Sequence, residues 1–169
     1  MKIFFGAAIQ GAGNREERAA VHTLIIAAIK SCDCEVLSEH TTGKDYHATA
    51  KLLEKSLGPL PPPGVARTVL IRNKMIEFIE GDIDAAVFEV STPSLGTGIE
   101  IAHAYLRPRL GLPAIPVFAL YQKNYWPNNL STMIRGITKD EVSDFVIQEY
   151  DEPANAAEFI PELLGGIRV

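Results

Sequence analysis

The chain has 169 residues, a net charge of −5 and 47% hydrophobic residues. That length suits one domain able to bury a core without disulfides or metal. The acidic balance argues against broad binding to polymeric nucleic acid or anionic membranes, so any phosphate must be held locally. Cys32 and Cys34 stand too close for a disulfide framework and lack zinc-spaced partners, which reads as reduced or buried thiols with no metal. No leader-like segment precedes the first strand and no apolar run is long enough to cross a bilayer, so the expectation is a cytoplasmic enzyme or binding domain.

Lys2 to Ile9 reads as a buried strand, and Gln10-Gly-Ala-Gly-Asn14 as a glycine-bearing turn before a helix that Arg15 opens. Ile9, Gln10 and Gly11 would then belong to a ligand-facing loop. Asn14 is the candidate N-cap, and Val21, Leu24, Ile25, Ala28 and Ile29 predict one buried stripe. Gly11 and Gly13 do not make a dinucleotide fingerprint, because the third glycine and the acidic residue some twenty positions on are misplaced. Cys34 to His40 reads as a second short strand, which puts His40 at a carboxyl end, the edge where parallel sheets gather ligands. A hydrogen-bonded structural histidine is the alternative. Tyr46 to Leu57 has a helical pattern. Gly58-Pro-Leu-Pro-Pro-Pro-Gly64 cannot be helical and predicts a stiff extended loop, serving as a lid, an oligomer contact or a plain surface connection. Val65 to Glu80 resumes a helix, with Val69, Leu70, Met75, Ile76 and Ile79 as its expected buried set.

Ala85 to Val90 is apolar enough for a strand buried on both faces, and Ser91-Thr-Pro-Ser ends it. Gly96 and Gly98 then let the backbone approach a ligand, and the following helix aims its free N–H groups into the loop, which suits an anion. Glu100 is expected in the first turn of this helix, where the positive end of the macrodipole favours its ionised form, and Thr97-Gly-Ile-Glu100 also has the spacing of a capping box. Further on, Leu112 to Tyr121 is a strand with its prolines at the start. Tyr125 to Ser131 is a loop feeding a short helix for which Ser131 could be the N-cap. Phe145 to Gln148 is an edge strand, and Ala154 to Leu164 a final helix capped by Gly165 and Gly166. This alternation predicts an α/β, flavodoxin/Rossmann-like fold, a five-stranded, mostly parallel sheet with helices on both faces. Phe4 to Gly13, Ser38 to Thr42 and Ser91 to Glu100 would converge on one sheet edge.

The segment Glu89-Val-Ser-Thr-Pro-Ser-Leu-Gly-Thr-Gly-Ile-Glu100, with Leu130-Ser-Thr-Met-Ile-Arg-Gly136, closely resembles the nucleoside 2-deoxyribosyltransferase superfamily, and within it the branch of 2'-deoxynucleoside 5'-phosphate N-hydrolases. The resemblance covers most of the chain and implies one such domain over 1–169. It implies Glu100 as nucleophile, Ser94 as the holder of the 5'-phosphate, and His40 near the substrate. It further implies that Ser131 and Met133 complete the pocket of a neighbouring subunit in a homodimer or higher homo-oligomer, and that no metal or organic cofactor takes part. Phe4 falls where relatives carry the Tyr or Phe that separates deoxyribose from ribose. The Asp with which many relatives touch the sugar has no counterpart in the Val65 to Glu80 helix, where Asn73, Lys74, Ile76 or Glu77 would occupy the region.

The reaction so implied is hydrolysis of a (deoxy)ribonucleoside 5'-monophosphate to free base and pentose 5-phosphate. Ser94 and the N–H groups near Gly96 and Gly98 would take the phosphate. Glu100 would stabilise the oxocarbenium-like centre at the anomeric carbon and could trap it covalently. Glu39, His40 and water remain open as proton donors to the base, and Glu89, inside the strand run, reads as structural. The alternatives are a transferase exchanging bases on deoxyribose and a non-catalytic nucleotide-sensing module on the same fold.

Overall fold

The computed structural model describes residues 1–9, 14–125 and 129–167. Expectations about Gln10, Gly11, Gly13 and Trp126 lie outside them. Five strands, β1 (Lys2–Ala7), β2 (Glu35–Val36), β3 (Ala85–Glu89), β4 (Val117–Gln122) and β5 (Phe145–Tyr150), form one sheet in the order β2-β1-β3-β4-β5. Every pairing is parallel, so the "mostly parallel" expectation resolves to wholly parallel. The helices are α1 (Arg15–Ser31), α2 (Tyr46–Leu57), α3 (Val65–Glu80), α4 (Leu95–Tyr105), α5 (Thr132–Arg135) and α6 (Pro153–Gly165). No helix among the described residues is long and apolar enough to cross a membrane.

Strand alternation sends side chains into two cores. Ile3, Phe5 and Val87 pack with Ile25 and Ile29 of α1 and Ile160 of α6. Phe4, Ala86 and Phe88 pack with Leu53 of α2, Met75 and Ile79 of α3, and Ile101 of α4. All five residues of β3 are buried, as its unbroken apolar run requires. The order 2-1-3 makes β1 and β3 the place where successive connections leave on opposite faces, and such a switch point opens a crevice above the strand ends.

Four local expectations are corrected. The second strand stops at Val36 because Ser38 takes over the ladder: its hydroxyl accepts from Phe5 N at 3.0 Å and donates to Phe5 O at 2.6 Å. His40 therefore sits not on a strand but in a 3-10 turn, Glu39–Thr42. The fourth strand begins at Val117 rather than Leu112. Leu24 and Val69 are exposed, so the buried stripes of α1 and α3 are narrower than their apolar content suggests.

Candidate active site

A cavity of about 500 Å³ opens at the carboxyl end of β1, walled by α2, α3, the start of α4 and the Pro-rich loop. That volume lies in the range of small-ligand sites. Helix α4 begins at Leu95 with Ser94 as its N-cap, the hydroxyl accepting from Thr97 N at 3.2 Å. This corrects the capping-box reading. Thr97 is already inside the helix, and Glu100 falls in the second turn, too far along to bond the N-cap backbone. Its carboxylate turns back into the cavity against Gly6 of β1, where a Cβ added to Gly6 would stand 2.9 Å from Glu100 Oε2. The expectation that the helix terminus favours an ionised Glu100 is also corrected, because burial dominates and pushes the carboxyl up to about 7.

Gly6 was not singled out in the sequence, yet it is what makes room for Glu100. A Cβ there would also stand 2.6 Å from the Phe88 ring, its neighbour in register on β3. Gly6→Ala is expected to displace Glu100 and lower turnover by on the order of a hundredfold, since a shift near 1 Å costs about that much. The overpacking should cost only about 1–3 kcal/mol. Steady-state rates beside a thermal melt test this; a variant with normal turnover would show that the close approach is unimportant.

His40 lines the same cavity and is buried, with its Nδ1 lacking a partner among the described residues. Burial pushes its pKa down to about 4, so at neutral pH the ring is uncharged and acts as a hydrogen-bonding group rather than a cationic acid. Ile9, Ser94 and Gly96 also line the cavity, whereas Gly98 does not. Phe4 is fully buried against Phe88, beneath the sheet surface, and it is Phe5 that reaches the cavity wall. Ser131 caps the short helix α5, accepting from Met133 N at 3.3 Å, and neither residue lines this chain's cavity; Met133 is 81% exposed. Glu39 is paired with Lys30 at 2.7 Å and does not line the cavity either.

On α3, Thr68, Ile71, Arg72, Met75 and Ile76 face the cavity at helical spacing, joined by Arg67. Of the four residues considered in place of the family's Asp, only Ile76 reaches the wall. Arg15, Arg67 and Arg72 were not anticipated. Only Arg72 had a signal, the i, i+3, i+4 recurrence beginning at Thr68; Arg15 on α1 and Arg67 lie outside that pattern.

Beneath the cavity lies a buried ionic cluster. Glu89 is 0% exposed and meets Arg18 Nη2 at 2.8 Å, His22 Nε2 at 3.5 Å and the Tyr150 hydroxyl at 3.0 Å, and accepts from the Ser91 hydroxyl. Burial alone would raise its pKa, but His22, Arg18 and Ser91 outweigh this and hold it at about 2. Glu89 does not line the cavity.

A wholly parallel five-stranded sheet, with a cavity at the carboxyl end of β1 lined by the half-buried Glu100 and the neutral His40, defines a protein of the Rossmann/flavodoxin-like class. No family model matches the chain. It is 31% identical over 166 residues, which is 98% of this chain and 96% of the relative, to a Thermofilum pendens protein named "Putative 2'-deoxynucleoside 5'-phosphate N-hydrolase 1". The chain belongs to the 2'-deoxynucleoside 5'-phosphate N-hydrolase family.

Proposed function

We propose that the chain is an N-glycosidase that hydrolyses nucleoside 5'-monophosphates to free base and pentose 5-phosphate, with Glu100 as nucleophile. The observation that carries this reading is a carboxylate with no capping duty, seated in the cavity against the bare backbone of Gly6. In the ionised form Glu100 attacks the anomeric carbon while the electron pair of the N-glycosidic bond leaves with the base, which takes its proton from water. A second water then cleaves the glycosyl ester and regenerates the carboxylate. The α4 N-terminus, with Ser94 and Gly96 on the cavity wall, suits the 5'-phosphate. His40, neutral and with Nδ1 unpartnered among the described residues, can hydrogen-bond a sugar hydroxyl or the attacking water.

The test is incubation with ribo- and deoxyribonucleoside monophosphates and the matching nucleosides, with and without an acceptor base, with free base and new nucleoside measured by chromatography. Base release from monophosphates alone supports hydrolysis. Base exchange on unphosphorylated nucleosides would replace it with transfer. Because Phe4 lies off the cavity wall, Phe4→Tyr should leave the ribose to deoxyribose rate ratio unchanged.

Completion of the site by a second chain is part of the same reading. Ile99 on the cavity wall is 53% exposed, Leu95 at the start of the same helix is 91% exposed and Met133 is similarly bare, which is more apolar surface than a solvated face needs. Ser131→Ala and Glu100→Gln chains should each be inactive alone. Mixed and re-equilibrated, they should recover roughly a quarter of wild-type activity, because half of the two-fold dimers then hold one intact site. No recovery on mixing would remove Ser131 from the site.

A further inference from the structure

The cavity lining sorts by element. The start of α4 is polar, with Ser94 and Thr97. The apolar walls are Leu53 of α2, Leu60 of the Pro-rich loop, and Ile71, Met75 and Ile76 of α3. If the sugar lies over Glu100 and the phosphate at α4, a flat base with apolar faces belongs between those walls. The base's edge then meets the polar groups of α3.

Three arginines line the cavity, and their own contacts separate them. Arg15 is held by the Gly43 carbonyl at 3.2 Å through Nε and by the Thr49 hydroxyl at 2.5 Å through Nη2. Arg72 is exposed and donates to Asn73 Oδ1 at 3.2 Å. Arg67 is half-buried and donates only through Nε, to the Pro61 carbonyl at 2.5 Å, so the Pro-rich loop braces the side chain and leaves its two Nη groups unused among the described residues. A guanidinium anchored through Nε presents a rigid pair of parallel donors.

Resting on the proposed glycosidase reading, we propose that Arg67 is a specificity-determining residue that selects 6-oxopurine over 6-aminopurine nucleotides. A 6-oxopurine shows two acceptors side by side, O6 and N7, which the Nη pair matches. A 6-aminopurine puts an N–H donor beside N7, so donor meets donor and one desolvated group is left unpaired. Among the described residues no carboxylate but Glu100 lines the cavity, so no side-chain acceptor on α3 rewards the amino group except the Thr68 hydroxyl.

The experiment separates this inference from the glycosidase reading by measuring binding without turnover. Calorimetry on the full chain carrying Glu100→Gln, with IMP, GMP and AMP and their 2'-deoxy forms as probes, should show IMP and GMP at least about tenfold tighter than AMP within the sugar series that binds. Adding Arg67→Met should weaken IMP and GMP to the level of AMP while leaving AMP unchanged. Arg67→Lys, which keeps the charge and loses the fork, should fall between. Equal binding of AMP and IMP, or a uniform loss across all three nucleotides, would overturn the role of Arg67 while leaving the glycosidase reading standing. Failure of every monophosphate to bind would overturn both.

Discussion

Glu100→Gln should lower base release by on the order of a hundredfold or more, because the amide can neither form the normal glycosyl ester nor supply the negative charge that meets the oxocarbenium ion. The fold should survive, since Ser94 and not Glu100 caps α4. Burial raises the folded-state pKa of Glu100 to about 7, above the ordinary 4.5, so the protonated form is the one the fold prefers. Its stability contribution is fully present below about pH 4.5 and is lost as pH rises through about 7. The glutamine keeps the neutral form at every pH. The variant should therefore melt with the wild type at pH 4.5 and several degrees above it at pH 8. In the wild type, kcat/KM should rise with pH through about 7 as the nucleophile ionises. Near-normal turnover in the variant would sink the assignment of Glu100.

Glu89→Gln should have the largest effect on stability. Removing that charge leaves Arg18 buried without its counter-ion, a loss of about 3–5 kcal/mol, or roughly 10 °C in a domain of this size. The carboxyl is held at about 2, below its ordinary 4.5, so its stabilisation is present above about pH 4.5 and disappears as pH falls through about 2. The paired change Glu89→Leu with Arg18→Met should recover much of the loss, because a buried ion pair replaced by apolar groups is often near neutral. A single variant melting within 2 °C of wild type would show that Arg18 finds another partner. Turnover per folded molecule should be kept, as Glu89 does not reach the cavity.

The sheet was legible because its strands are short apolar runs bounded by Pro and Gly, and β3 and α4 follow from the Ser-Thr-Pro-Ser break. Boundaries failed where side chains replaced backbone partners. The Ser38 hydroxyl ends β2 early, and Ser94 caps α4 three residues ahead of the Thr97 box. Spacing alone cannot choose between two hydroxyls that both suit an N-cap. Cavity neighbours were harder still. Gly6 matters only because β1 lies beside α4, and Arg67 only because the Pro-rich loop folds over α3, two juxtapositions absent from any local window. Phe4 and Phe5 differ by one position, and the pleat sends them to opposite cores.

The Pro-rich loop runs between Gly58 at φ 81° and Gly64 at φ 149°, both with open space where a side chain would be. Neither end joins a strand, since the loop links α2 to α3 on one side of the sheet. Leu60 and the Pro61 carbonyl thus shape the cavity from a segment that carries none of the register of the sheet, while Glu100 and Gly6 are fixed by β1 and α4. On the proposed glycosidase reading, reaction chemistry and substrate range therefore rest on separate segments of the chain. On that reading, a library that varies positions 59–63 between the two glycines would sample new leaving groups while Glu100 and Gly6 stay in place.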